Sequence, residues 1–407
     1  MEECANINMV IVGHVDHGKS TLIGRLLFDT NSIPEDKLKE LKRNCSELGQ
    51  EMEFAFIADS LKEEIEYQFT MDTTQVFFKT KNRKYTIIDA PGHKELIKNM
   101  ITGASQAEAG ILIIDAKEGV KEQTKRHAYL LNFLGISQII VVINKMDLVN
   151  YDKKRFEEVK SEILKFLNNI TITPMSIIPI TARDGDNIVR KSENMPWYDG
   201  NTLAEALDSF ILPKKESNPS VRMVVQDVYD IDNQQIIVGR LESGRLKVGD
   251  NVIIVPYNTE TRVSQIHSFL KQKYEVNSGE SVGISIEPKT KIDRGCVICN
   301  GAMPIISKEV TATIFWISET SLNLNEKILL RLGPQKTDCS ITEIYEKIDS
   351  ADLHIIKDDN SKINFLEICK VKISTSSPLI FDKFEEVQPM GRFVLVLNNK
   401  ICGGGII

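Results

Sequence analysis

No stretch of this 407-residue sequence approaches the ~18 consecutive apolar residues that a membrane-spanning helix requires. The opening Met1-Glu2-Glu3 also lacks the basic residues that begin a secretory signal. A cytoplasmic protein with no membrane partner is therefore expected. Paired cysteines are missing too. Cys4, Cys45, Cys296, Cys299, Cys339, Cys369 and Cys402 are scattered and odd in number, which argues against a disulfide framework. The one close pair, Cys296 and Cys299, lies in a strand-like segment, where residues three apart face opposite sides and cannot easily chelate one ion. Excess positive charge is absent as well. A net charge of −7 gives no support to a nucleic-acid coat or an anionic membrane partner, and no nucleic-acid partner is expected, although a local basic patch would be compatible with it. The short basic run Lys79 to Lys84 reads as a solvated hairpin turn.

What is present starts with Gly13-His14-Val15-Asp16-His17-Gly18-Lys19-Ser20, immediately after the strand-like run Ile7 to Gly13. This fits the phosphate-binding P-loop. Two glycines let successive backbone N–H groups converge on phosphate oxygens, and the following helix points its positive end at them. Lys19 adds a point charge, and Ser20 offers its hydroxyl to a magnesium ion bridging the terminal phosphates. Gly18-Lys19 is the only Gly-Lys pair in this sequence, so no second such loop, and no fused kinase, is expected.

Three further motifs identify the base and the switch. Asp89-Ala90-Pro91-Gly92-His93 follows the apolar run Tyr85 to Ile88, where Asp89 can hold magnesium through water and Gly92 can turn its N–H onto a terminal phosphate. Asn144-Lys145-Met146-Asp147 closes the run Ile139 to Ile143. Its Asp147 carboxylate can accept from guanine N1 and N2, donors that adenine lacks. Thr181-Ala182-Arg183 follows Ile177 to Ile180 and can complete the base pocket with backbone N–H groups. Each sits at a predicted strand C-terminus, where doubly wound sheets bind ligands. The residues expected to hold GTP or GDP are thus Gly13 to Thr21, Asp89, Gly92, Asn144, Lys145, Asp147 and Thr181 to Arg183.

The expected fold is multidomain: an α/β P-loop GTP-binding domain with a parallel or mixed sheet over residues 1–213, then β-barrels over 219–303 and 304–407. Apolar strands alternate with helical patterns up to Pro213, the sign of a sheet flanked by helices. Strands are expected at Asn8–Gly13, Thr74–Lys79, Lys84–Asp89, Gly110–Asp115, Ile139–Asn144 and Ser176–Thr181. Helices are expected at Ser20–Asp29, Ile97–Gly103, Lys121–Leu134, Lys153–Phe166 and Leu203–Phe210. The polar insertion Thr30 to Met71 is where a nucleotide-sensing switch would lie. Leu212 to Pro219 reads as a linker, beyond which strands recur and barrel closure would remove exposed edges.

The runs His14 to Leu27, Asp89 to His93 and Asn99-Met100-Ile101-Thr102-Gly103-Ala104-Ser105 resemble the elongation factor Tu superfamily of GTPases. Other segments resemble one branch, the GTPase subunit of the bacterial heterodimeric sulfate adenylyltransferase. They are Gln123 to His127 with Leu134-Gly135-Ile136, Asp184 to Ile188 with Met195 to Tyr198, Gly391 to Val396, and the ending Gly403-Gly404-Gly405-Ile406-Ile407. That resemblance implies a GTP-hydrolysing subunit driving synthesis of adenosine 5′-phosphosulfate on a separate small catalytic subunit, its partner in a heterodimer or larger assembly. It also implies three catalytic roles: Lys19 neutralising β/γ-phosphate charge, Thr70 joining Ser20 and Asp89 around Mg2+, and His93 orienting the attacking water. His127 reads as packing, beside Leu131 and Leu134 on one helical face. One departure stands out: Tyr67-Gln68-Phe69-Thr70 where the superfamily has a glycine before the hydrophobic-Thr step. The alternative within the superfamily is a translation factor delivering aminoacyl-tRNA to the ribosome, and a further one is a binding module without turnover.

Overall fold

The computed structural model describes residues 6–33, 35–36, 38–39, 54–57, 74–80, 82–89, 107–211, 220–231, 234–267, 273–358 and 360–407. The backbone divides into two compact units, residues 1–213 with 350–352, and 214–349 with 353–407.

The first unit is built on β1 (Asn6–Gly13), α1 (Lys19–Asp29), β2 (Thr74–Lys79), β3 (Lys84–Asp89), β4 (Ala109–Asp115), α2 (Glu122–Phe133), β5 (Gln138–Asn144), α3 (Lys153–Asn169), β6 (Ser176–Pro179) and α4 (Leu203–Asp208). The strands form one 6-stranded sheet in the order β2-β3-β1-β4-β5-β6. All neighbours are parallel except β2, which returns antiparallel to β3 through the turn closed by Thr80 N–H onto the Arg83 carbonyl. Sequence explains the positions. β4 (AGILIID) is buried at every residue and β5 at all but its first, the continuous apolar pattern of strands covered on both faces. On α1, Leu22, Ile23, Leu26 and Leu27 recur at helical spacing and face the core. Asp152 caps α3 by accepting from the N–H groups of Lys154 and Arg155. Thr202 and Glu205 form a reciprocal capping box on α4.

The chain leaves β1 toward β2 and β3 on one side and then crosses to β4 on the other. The crevice beyond the strand C-termini at this reversal is where open α/β sheets hold ligands. Gly13, Asp115 and Asn144 all end strands on that edge.

The second unit holds two closed barrels whose neighbouring strands are all antiparallel. The first runs through Asn251–Val255, Thr259–His267, Ser281–Glu287, Gln234–Ser243, Val221–Ile231 and Val297–Asn300. The second runs through Ile305–Trp316, Glu367–Phe381, Gln335–Asp349, Ile328–Leu332, Arg392–Leu397 and Lys400–Ile406. Closure leaves no unpaired edge. Between them, Val224, Val255, Val297 and Cys299 pack against Ile380, Val387 and Met390. The same seam buries a bidentate pair, Arg222 Nε to Asp382 Oδ2 at 2.7 Å and Nη2 to Oδ1 at 2.9 Å. Cys296 belongs to the interior of the first barrel, whereas Cys299 faces the seam. No helix among the described residues is long and apolar enough to cross a membrane.

Candidate functional site

The loop after β1 is shaped by what glycine omits. A Cβ on Gly13 would lie 2.4 Å from the Ile113 carbonyl oxygen of β4, and one on Gly18 would lie 2.4 Å from Asn144 Nδ2. Gly18 also has φ 93°, a left-handed conformation that L side chains resist, and Asp16 is at φ 62°. α1 begins at the next residue, so the N–H groups of Lys19, Ser20 and Thr21 lack intrahelical acceptors and carry the positive end of the helix dipole. Lys19 Nζ donates to the carbonyls of Gly13 and His14, each at 2.9 Å, which draws the ammonium across the mouth of the loop. An anion entering here meets backbone donors and one fixed cation.

The loop is held from below. His14 Nδ1 donates to the Gln123 side-chain oxygen on α2, and its ring lies edge-on to His17 at 5.1 Å. His17 is fully buried, with Nδ1 donating to the Ile113 carbonyl at 3.2 Å. Burial pushes its pKa down from 6.5, outweighing the Ile113 bond and the nearby Asp115 and Glu118. The ring is therefore neutral at pH 7, and the 3.8 Å approach of Glu118 to Nε2 is not an ion pair. Val15 and Asp16 are exposed.

Asn144 is 2 % exposed and joins two loops: Nδ2 donates to the His17 carbonyl and Oδ1 accepts from Ala182 N–H, both at 2.9 Å. Lys145, at φ 60°, places Nζ 2.8 Å from Asp115 Oδ2. Burial alone would raise Asp115, but the Lys145 ammonium and the amides of Glu118 and Lys117 outweigh it and hold the carboxyl below its ordinary range. Asp147 sits half-buried in the short turn Met146–Val149. A cavity of about 280 Å³ opens between Gly18 and Thr21, the Asn144 to Leu148 segment, and Thr181 to Arg183, with Phe54 and Ala55 completing its lining. Its size is near the lower end for small-molecule sites, and the acceptor Asp147 and the backbone of Thr181 to Arg183 give it the polarity a purine edge would meet.

The P-loop, the Asn-Lys-Met-Asp tetrad and Thr181 to Arg183 are thus brought together. Thr70, Gly92 and His93, like the expected helix Ile97–Gly103 and the Tyr67-Gln68 departure, lie outside the described residues. Asp89 ends β3, its side chain likewise outside them. Of the expected magnesium ligands only Ser20 has a described side chain, in the first turn of α1. Asp115, Arg25 and Phe54 were not anticipated. Asp115 carries the same signal as Asp89, a carboxylate closing a buried strand; Phe54 carries none.

A family model for the elongation factor Tu GTP binding domain matches residues 5–213. The chain belongs to the elongation factor Tu superfamily of GTPases. Models for elongation factor Tu domain 2 and a GTP-eEF1A C-terminal domain-like module match residues 234–299 and 309–407. Elongation factor 1-alpha of Pyrococcus horikoshii is 39% identical, covering 97% of this chain and 95% of its own length. That of Methanopyrus kandleri is 40% identical over the same shares. A crystal structure of sup35 complexed with GMPPNP is 24% identical with a TM-score of 0.45, covering 99% of this chain and 93% of its own; that likeness adds nothing to the assignment.

These relatives overturn the expectation of a sulfate adenylyltransferase subunit with a small catalytic partner and no nucleic acid. Relatives named elongation factor 1-alpha match from end to end. In the structure the segments read for that branch serve local structure and packing. Gln123 to His127 forms the first turns of α2, with His127 and Thr124 buried. Asn187, within Asp184 to Ile188, donates to the Pro179 carbonyl and accepts from Ser192 N–H. The glycines near the C-terminus make room in the second barrel, where a Cβ on Gly405 would sit 2.1 Å from the Phe393 ring.

Proposed function

We propose that this chain is a translation elongation factor that, loaded with GTP, binds aminoacyl-tRNA and delivers it to the ribosome in the cytoplasm. The observation that carries the reading is end-to-end similarity, at 38 to 40% identity, to proteins named elongation factor 1-alpha. Residues 1–213 would act as the GTP-binding domain, with 219–303 and 304–407 as the barrels that follow it.

In this reading the first turn of α1 and Lys19 receive the β- and γ-phosphates, and Asp147 with the backbone of Thr181 to Arg183 selects guanine. Asn144 holds the two halves of that pocket in register. A magnesium ion, held by Ser20 with Thr70 and Asp89, would neutralise charge on the terminal phosphates. His93 is the residue assigned to orient water. A net charge of −7 does not oppose tRNA binding, because a basic face on an acidic protein suffices. Intrinsic hydrolysis should be slow, on the order of 10⁻³ per second or below, with the ribosome as activator.

The test is a titration of aminoacyl-tRNA against the chain loaded with GTP or with GDP, at several salt concentrations. Tighter binding in the GTP form, weakening as salt rises, supports the reading. Equal affinity in both forms, or no binding, overturns it.

A further inference from the structure

Phe54 and Ala55, which lie between α1 and β2 in the sequence, contribute one side of the purine cavity, and α1 holds Phe54 there. Phe54 and Ala55 line the cavity together with residues of the P-loop and the Asp147 turn. Three contacts fix Phe54. A Cβ on Gly24 would lie 1.8 Å from the Phe54 carbonyl oxygen, so only glycine lets this backbone approach α1. The Phe28 ring meets Phe54 edge-on at 5.4 Å. The Arg25 guanidinium lies over the Phe54 ring, 4.8 Å from its centroid. Ile57, one turn on, is fully buried in the core beneath the sheet.

Arg25 itself is pinned. Its Nε donates to Asp29 Oδ2 at 2.9 Å and its Nη1 to the Arg183 carbonyl at 3.0 Å. The loop wraps it closely enough that a Cβ on Gly185 would fall 2.1 Å from Nη2. One guanidinium therefore holds both the aromatic side of the cavity and the loop Thr181 to Arg183.

We propose that Phe54 is an aromatic wall of the purine pocket that sets nucleotide residence time, with Arg25 as the positioning residue that locks this wall to the Arg183 loop. The proposal rests on the guanine-nucleotide reading of the site. A ring held in place loses little freedom when a base packs on it, so its contribution appears in the release rate. The ring should touch GDP and GTP alike, since it lies at the base end and not at the phosphates.

The experiment follows release of N-methylanthraniloyl-GDP from the full chain by stopped flow. Phe54→Ala should speed release about tenfold, from the usual worth of an aromatic contact. Phe54→Tyr, which keeps the ring, should stay within about twofold of wild type. Phe54→Leu keeps the apolar packing on α1 without the ring and should release nearly as fast as Phe54→Ala. Arg25→Ala should also speed release, and the double variant with Phe54→Ala should fall short of the product of the single effects, because the two side chains act as one unit. Wild-type release rates in Phe54→Leu, or loss of retention in Phe54→Tyr, would overturn the wall. Full multiplicativity in the double variant would overturn the role of Arg25. Failure of the wild-type chain to bind GDP would instead overturn the nucleotide reading.

Discussion

Asn144 offers the sharpest perturbation of the pocket, because it is buried and both of its polar ends are committed. Replacing it with alanine strands the His17 carbonyl and the Ala182 N–H, each bonded to it at 2.9 Å. A buried group left without its partner costs ~1–3 kcal/mol, so the two together are worth about 2–6 kcal/mol. Part of that loss falls on folding and part on the nucleotide complex, since the amide sets the spacing between the P-loop and the Ala182 loop. If about 2 kcal/mol falls on the complex, the Kd for GDP rises roughly 30-fold. Asn144→Asp retains an oxygen for Ala182 N–H but turns a second oxygen toward the His17 carbonyl, and should bind no better than Asn144→Ala. The assay is competition titration against a fluorescent GDP, with urea unfolding on the same preparations to apportion the two parts. A Kd within about twofold of wild type, with an unchanged unfolding midpoint, would refute the tethering role.

Asp147→Asn should weaken GDP and favour xanthosine diphosphate, whose base presents an acceptor to the new amide; equal loss of both nucleotides would contradict the guanine pocket. His17 should make stability depend on pH. Its folded pKa lies below the ordinary 6.5, so the unfolded chain takes up the proton first. Stability is then full above pH 6.5 and is lost as pH falls from there toward the folded value, at no more than about 1.4 kcal/mol per pH unit. His17→Asn, which can keep the bond to Ile113, should flatten this limb in urea titrations between pH 5 and 7.5, and an unchanged limb would assign the dependence elsewhere. In the seam between the barrels, Asp382→Ala leaves the Arg222 guanidinium buried and unpaired, at ~3–5 kcal/mol, whereas the pair Arg222→Met with Asp382→Leu should recover most of it. Unfolding of the single variant within about 1 kcal/mol of wild type would mean the pair is solvated.

The expected strands of the first unit follow the structure closely where burial is continuous. β4 and β5 begin one residue earlier than the runs Gly110 to Asp115 and Ile139 to Asn144, and β2 and β3 match their expected bounds. β6 stops at Pro179, two residues short of the expected Thr181. There the chain turns into a tight loop, with Gly185 N–H donating to the Thr181 carbonyl. Two barrels were legible as a class from recurring strands and turns, but their closure was not: Ile305–Trp316 pairs with the C-terminal Lys400–Ile406, a contact no local pattern announces. The site divides the same way. The P-loop is a local spacing of glycines and a lysine, readable without a fold. The Asn144 tether joins residues 127 apart in sequence, and the Phe54 wall depends on a close approach at Gly24 that leaves no mark in composition. Membership of the superfamily was legible because phosphate chemistry dictates residue types at fixed positions. The branch was not: in this chain the segments read for it serve a helix start, a turn and barrel packing, roles that name no partner.

The central claim, delivery of aminoacyl-tRNA, is tested most directly by dipeptide formation. Ribosomes from the source organism, carrying initiator tRNA in the peptidyl site, would be given aminoacyl-tRNA with this chain and either GTP or a non-hydrolysable analogue. The account requires rapid dipeptide formation with GTP, little with the analogue, and none above background without the chain. A chain that binds and hydrolyses GTP yet leaves dipeptide formation at background would contradict it.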